Sequence, residues 1–517
     1  MNKKLFLLFG VIAVLTLAVS AAAEAASLRA DSIPVLHSKE DGRIKGKYYV
    51  PSTIENVRWG RLPNKNTRTV LDVPSGAAVT FDTVSHEGIL EDQGKNPVKY
   101  YGSHGVAAKD VLQDAIAIAA SALSHDFDKD GPHIVTGPVN VKGARPGDVL
   151  KVEVLALEPR VPYGVISNRH YKGALVGEFP EGTTREKDAS PKRPERYGNV
   201  SIFTPIKKID GKWFGYLKKS DKEIRFPLSP FVGIMGVTPN TTESWSSVPP
   251  ANIGGNIDVN ELGVGSTLYL PVEVEGAKFY VGDPHFVQGD GEVALTALEG
   301  SLRATIRLTV LRKGSTAIPK TNSDNLLSPF AETEKFWIPI GLNEDLDEAM
   351  KMSVRESISF LSKQLGIDRR VVYAYLSAAV DYEVSQVVDK TKGVHALIPK
   401  VDFTDYLKLD LKVGQKSFAV KALNGSFYVP ASICAELGLH YFVENGNISV
   451  RTPKGAVKMT VDSNKYAVGP ESFFLEVSPL EKDGGLLLPV LTLGEVLGVS
   501  VNWSTEGHKI IGVAQIL

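Results

Sequence analysis

The sequence predicts a mainly β fold with covering helices, followed by a small α+β module. Three observations predict it. Apolar residues alternate along Asp148–Glu158 (Leu150, Val152, Val154, Ala156) and Arg303–Val310 (Ala304, Ile306, Leu308, Val310), the period of a half-buried strand. Helical spacing is concentrated late, where Leu346, Met350, Val354, Ile358, Leu361 and Leu365 make one stripe over Glu344–Leu365. Beyond Lys400, a unit of strand, proline, short helix and glycine occurs twice.

Taken in order, Asn2-Lys3-Lys4, the apolar run Leu5–Val19 and Ala23-Glu24-Ala25 read as a secretory signal. Residues 1–25 are therefore set aside, and the chain is expected to be secreted or associated with a bacterial cell envelope. No later segment is apolar enough to span a bilayer. Residues 27–60 form a polar lead-in. Residues 68–160 read mostly as β, interrupted by a helical pattern at Ala107–Leu123 (Val111, Leu112, Ala115, Ile118, Ala119). Residues 160–200 read as a long ordered loop with a solvated charged run at Arg185–Arg196. Strands resume at Thr267–Val274. Asn343 is the expected N-cap of the late helix, with Glu344, Asp345 and Asp347 at its positive end. Gly366 ends that helix and Asp368 caps a second one that ends near Val380. A boundary near Lys400 divides residues 26–400 from 401–517.

At 517 residues, with 43% hydrophobic and 23% charged content, the chain has ordinary globular composition and the length of two or more domains. A net charge of −1 offers no basic excess for nucleic acid or an anionic membrane. The single cysteine, Cys434, excludes an intrachain disulfide and is expected to be a buried packing residue.

The run Gly282-Asp283-Pro284-His285-Phe286-Val287-Gln288-Gly289-Asp290-Gly291-Glu292 holds two Asp, a His, a Gln and a Glu between glycines. Upstream, Gly254-Gly255-Asn256-Ile257-Asp258 is a second glycine-rich turn. Glycine lets backbone turn sharply and approach a ligand, so the two turns are expected to converge. Imidazole and carboxylates bind divalent metals or act as general acids and bases. The spacing matches no zinc signature such as His-Glu-x-x-His. Ser85-His86-Glu87-Gly88 and Asp130-Gly131-Pro132-His133 are further clusters that add value only if they converge with His285. Asp126–Gly131 imitates an EF-hand start, but position twelve is Gly137 rather than Glu. The sequence has no Gly-x-Ser-x-Gly elbow, dinucleotide fingerprint or P-loop. For amide cleavage, an activated water is then the simplest nucleophile.

At these residues the chain resembles the acetamidase/formamidase family. The matching segments are His133–Gly147, Pro230–Val237, Gly254–Asp258, Gly282–Glu292 and Val387–Asp389 through Gly393-Val394-His395, within a resemblance running from about Tyr48 to Lys400. It implies hydrolysis of short amides to ammonia and a carboxylate by an oligomeric, mainly β protein, with β-sandwich-like sheets and covering helices. Many members place His before Gly-Gly-Asn-x-Asp, where this chain has Ile253, and the chain carries its own Ser167-Asn168-Arg169-His170. Residues 401–517 resemble the copper amine oxidase N-terminal-like domain through Pro430/Glu436/Gly438, Pro489/Glu495/Gly498 and Trp503. With only His440 and His508 and no His-x-His pair, nothing there suggests copper; association with the cell wall or another chain is expected.

The expectation is thus an exported amidase acting on a small amide, probed against a rival of an envelope binding protein without turnover. Glu292 or Glu87 is the expected base. Asn256 and Gln288 are expected to orient the amide or oxyanion, and Asp290 completes the catalytic set. Asp258, His285, His86, His133 and Asp283 are the expected ligands of a divalent ion, zinc first.

Overall fold

The computed structural model describes residues 33–38, 44–209, 212–219, 222–321, 325–423, 425–453, 455–506 and 508–516. The expected signal segment lies outside these. Two large sheets face each other. A nine-stranded sheet runs in the order Tyr48–Val50, Ala77–Asp82, Leu302–Leu311, Val149–Pro159, Thr267–Pro271, Phe330–Glu332, Phe336–Asn343, Lys392–Pro399, Asp381–Gln386. An eleven-stranded sheet is built around Phe279–Val287, which lies between Leu298–Glu299 and Phe231–Gly236; Ile134–Lys142 also pairs with it. Val79, Phe81, Val152, Ile234, Val281 and Ile306 belong to one fully buried cluster between them. Aligned packing of two twisted sheets over such a core is the β-sandwich arrangement, as the sequence predicts.

The alternating strands are where they were expected. Val149–Pro159 and Leu302–Leu311 pair antiparallel with Leu150, Val152 and Val154 buried. Several local expectations are corrected. Residues 91–120 are largely helical turns, and Ala107–Leu123 narrows to a short 3-10 turn and the helix Gln113–Ala120. The loop expected at 160–200 opens with a strand, Tyr163–Asn168, followed by hairpin strands Val200–Ile209, Lys212–Lys219 and Lys222–Pro227. Their mixed polar faces, in which Ile224 is exposed, hide the strand period.

The late helix is Leu346–Leu365, capped by Asp345 rather than Asn343: the Asp345 side chain accepts from the Glu348 N–H. Its buried face is Ala349, Ser353, Ser357, Phe360 and Gln364 with Leu361 and Leu365 of the expected stripe, while Met350, Val354 and Ile358 are only half-buried. Close approach explains the shift. A Cβ on Gly341 would sit 2.1 Å from the Ala349 carbonyl oxygen, so helix and strand touch backbone to backbone and only small side chains fit between. The second helix, Arg369–Ala379, starts at the expected cap, Asp368.

In the C-terminal part, the two repeat units pair with each other: Tyr428–Pro430 lies antiparallel to Leu487–Pro489. Each strand leads into a short helix, Ile433–Glu436 or Val490–Glu495. Cys434 is buried, and burial pushes its thiol up to about 12. The final strands dock on the nine-stranded sheet. The Glu332 carboxylate, buried, accepts from Tyr269 (2.6 Å), Lys400 (2.6 Å) and the N–H (3.1 Å) and hydroxyl (2.9 Å) of Thr505. Trp337 Nε1 donates to the same Thr505 hydroxyl at 2.7 Å.

Candidate active site

Strand geometry aims the central cluster. Asp283 and His285 are two apart on Phe279–Val287, so both project to one face. Neighbouring register pairs Val232 with Pro284 and Ile234 with Gly282, which sets Gly233 opposite Asp283. His285 pairs with Glu299 on the other side. The turn after Gly254–Asn256 is pinned when the Ile257 N–H donates to the Gly233 carbonyl at 3.2 Å, and Asp258 follows. His86 arrives from the loop after Ala77–Asp82, and His133 precedes Ile134–Lys142. A bridge between Gly291 and Gln386 brings Glu292 to the hairpin loop that carries Asp389. There Gln386 Oε1 accepts from the Val388 and Asp389 N–H groups at 3.1 Å each.

Three of the carboxylates sit on left-handed backbone: Asp258 (φ 48°), Asp283 (φ 51°) and Glu292 (φ 46°). Such strain in non-glycine residues collects at functional sites. Gly233 makes room for them, since a Cβ there would lie 2.3 Å from Asp258 Oδ1 and 2.9 Å from Asp283 Oδ2. Gly233→Ala is therefore expected to displace this cluster by about 1 Å. A misplacement of that size costs on the order of 100-fold in rate. Steady-state kinetics on a folded variant checks it; wild-type kcat/KM would show that the cluster plays no part.

The cluster borders a cavity of about 380 Å3. His86, His133, Asn256, Asp283, Glu292, Glu299 and Asp389 line it, together with apolar side chains such as Phe127, Val176 and Val388 and the cations Lys172 and Lys390. Four overlapping sets have ligand atoms within 4.8 Å of one another: His86/His133/Asp283, Asp258/Asp283/His285, His285/Glu292/Glu299 and Asp258/Glu292/Asp389. His285 Nε2 is 3.1 Å from both Asp283 Oδ2 and Glu299 Oε1. His133 Nε2 is 3.7 Å and His86 Nδ1 3.6 Å from Asp283.

Electrostatics in this space are unbalanced. Burial raises Glu299 to about 7, and burial with the Asp283 charge raises Asp389 to about 7. Burial, then the charges of Glu292 and Asp389, pushes Asp258 well up; burial and Asp389 do the same to Glu292. Burial opposes charge on His86, but Asp283, Glu87 and Glu299 outweigh it and raise it to about 10. Burial lowers His133 to about 4, so it is neutral at pH 7. Burial works against Asp283, yet the imidazoles of His133 and His285 hold it well below the carboxylate range. Since His133 is neutral, the charge that matters there is that of His285.

These residues fit a divalent cation. Both nitrogens of His86 and of His285, both oxygens of Asp258, and one oxygen each of Asp283, Glu299, Asp389 and Asn256 are buried without a hydrogen bond. Buried polar atoms are nearly always bonded. A pair of imidazoles with a carboxylate, as in His86/His133/Asp283, is a zinc-type donor set that leaves a position open.

The structure thus gathers Asn256, Asp258, Asp283, His285, Glu292, His86 and His133, and corrects three other expectations. Asp290 is exposed on its turn, near Glu383, and is not among the residues that line the cavity. Gln288 spends its amide N–H groups on the carbonyls of Asp258 and Ser385, both at 3.0 Å, and clamps two loops together. Glu87 stands behind His86 (3.3 Å), where Arg169 (2.9 Å), Ser167 (2.6 Å) and Gln93 donate to it. Burial opposes its charge, but Arg169 and His86 win and bring it down to about 2. A carboxylate so committed orients an imidazole and is a poor base at neutral pH. Sequence reasoning missed Glu299, which sits in Ala297-Leu298-Glu299-Gly300 with no polar neighbour to signal it, and gave Asp389 no role. Ile253 is fully buried in the inter-sheet core, away from the cavity wall.

The fold and site define a β-sandwich with an acid- and imidazole-lined cavity at one sheet. The Acetamidase/Formamidase family matches residues 103–247 and 241–404. The chain belongs to that family. Residues 369–511 match the Copper amine oxidase N-terminal domain. The chain is 26% identical over 305 residues to a formamidase of Methylophilus methylotrophus, covering 51% of this chain and 75% of that protein. It is 29% identical over 206 residues to an acetamidase of Mycolicibacterium smegmatis, covering 32% of this chain and 50% of that protein. It spans about half the length of two of the curated relatives that it matches. In fold it is similar to the crystal structure of an acetamidase from Bacillus halodurans, with TM-score 0.51 and 24% identity, covering 69% of this chain and 99% of that one.

Proposed function

We propose that the protein is an exported amidase that hydrolyses short-chain amides to ammonia and a carboxylate through an activated water. The observation that carries this reading is the single cavity wall shared by a zinc-type donor set, His86/His133/Asp283, and a carboxyl with a raised pKa, Glu292. When bound, a divalent ion supplies Lewis acidity at the amide oxygen and acidifies water. His86, His133 and Asp283 would hold it, His86 giving up its proton on binding, with Asp258 and His285 beside the shared Asp283. Glu87 and its Arg169 partner keep the His86 ring in place.

Glu292 takes a proton from the water as its oxygen bonds to the amide carbon. It then returns that proton to the nitrogen as the C–N bond breaks, and ammonia leaves. Asn256 Oδ1, buried without a partner, can accept from the amide NH2 and fix its orientation. The cavity of about 380 Å3 is in the range that holds far larger ligands than three-heavy-atom formamide. That volume leaves room for an acyl chain beside the amide, so acetamide and longer homologues are the expected substrates.

The test is ammonia release from a series of amides of increasing acyl length, with chelator and after zinc is restored. Release that rises from formamide to longer amides, stops with chelator and returns with zinc is expected. No release from any amide in the zinc-loaded protein would sink the proposal. The apolar leader at Leu5–Val19 supports export, and the repeat module 401–517 supports attachment at the cell envelope. Finding the full-length chain only in the cytoplasmic fraction would overturn that part. We take the working form to be a homo-oligomer, which light scattering would check.

A further inference from the structure

A second cluster lies outside the cavity. Glu383 and His395 are directly opposed on adjacent strands, Asp381–Gln386 and Lys392–Pro399, and so share one face. Glu261, from the turn after Asp258, reaches the same place: His395 Nε2 is 3.1 Å from Glu261 Oε2 and 3.7 Å from Glu383 Oε2. Burial, then the neighbouring Asp290 carboxylate, raises the Glu383 carboxyl, which puts Asp290 at the edge of the group.

Two observations separate this group from an ordinary acidic patch. The His395 side chain is fully buried, with Nδ1 on the Ser385 hydroxyl at 2.7 Å, yet Nε2 and the facing Glu261 Oε2 are both buried without a hydrogen bond. In addition, among the described residues no Lys or Arg is ion-paired to Glu261, Glu383 or Asp290, so three carboxylates converge with only an imidazole to answer them. The side chains of Glu261 and Glu383 keep 15% and 32% of their exposure, which leaves an entry path from solvent.

We propose that Glu261, Glu383 and His395, with Asp290 at the edge, form a second divalent-cation site, separate from the cavity and structural in role. Three carboxylates and one imidazole suit a first-row ion that accepts mixed oxygen and nitrogen ligands, Mn2+ or Zn2+. The ligands tie together the three segments that position the cavity carboxylates. Glu261 follows Asp258 by three residues, Asp290 precedes Glu292 by two, and Glu383 and His395 flank the loop bearing Asp389. The ion acts as a rivet beneath those loops.

The experiment measures Mn2+ bound per chain by equilibrium dialysis of the full-length protein after stripping with chelator, with folding followed by circular dichroism. Glu383→Gln and Glu261→Gln are each expected to bind one ion fewer than wild type and to lose the part of the Mn2+-induced rise in Tm that this ion gives. Asp283→Asn, which alters the cavity, is expected to keep that ion. Glu383 is partly exposed, so its Gln variant should fold. Equal stoichiometry in wild type and in both Gln variants would overturn the proposal, as would loss of every ion in Asp283→Asn alone. Failure of the amide assay would leave this binding result untouched.

Discussion

Glu292→Gln lowers kcat for amide hydrolysis by roughly 10²–10⁴-fold, the usual contribution of a positioned acid–base group, while the fold is kept. The substitution preserves shape and removes a cavity-lining carboxyl that burial and Asp389 raise. Glu87 cannot take over, because Arg169, Ser167 and Gln93 hold it ionised and turned away. The pH profile carries the same signature. The basic form of Glu292 grows as pH rises through its raised pKa, so wild-type kcat/KM climbs toward alkaline pH, and that limb is missing from the variant. A variant with wild-type kcat would assign the proton transfer to another group.

Asp283→Asn is expected to abolish both tight ion binding in the cavity and turnover. Asp283 is shared by two of the four ligand sets, His86/His133/Asp283 and Asp258/Asp283/His285, so one change breaks both. It also removes one of the two carboxylates 3.1 Å from His285 Nε2, leaving Glu299. Glu87→Gln makes a graded contrast. As the group behind His86, it should cost about 10–100-fold in metal affinity or activity, the usual effect of an outer partner. Metal analysis beside ammonia release separates the two. An Asp283→Asn protein that binds cavity metal and turns over normally would remove Asp283 from the site.

Much of this was legible in the sequence, for identifiable reasons. Strict alternation at Leu150, Val152, Val154 and at Ala304, Ile306, Leu308 marked the central strands because one face is sealed in the core. Glycine-rich turns marked Asp258, Asp283 and Glu292 because backbone packs on backbone there, Gly254 against the Met235 carbonyl and Gly282 against that of Ile134. The hairpins of residues 200–227 were hidden by exposed apolar residues such as Ile202 and Ile224. The long helix was read correctly at Leu361 and Leu365, which are buried, but not in its first turns, where contact with Gly341 favours Ala349 and Ser353 over larger side chains. Glu299 gave no local sign, because its role is set by cross-strand register with His285 and not by its neighbours in the chain. Asp290 and Gln288 had the right chemistry on the right turn but face elsewhere, which spacing does not encode.

The Glu332 carboxylate is held at once by Tyr269 and Lys400 on one side and by Thr505, near the chain's end, on the other. A polypeptide stopping at Lys400 would strand that acid with two of its four donors gone and lay bare the indole of Trp337. The terminal segment is therefore better understood as a keystone than as a detachable appendage. A load applied to residues 401–517 would pass through Thr505 and Glu332 straight into the nine-stranded sheet.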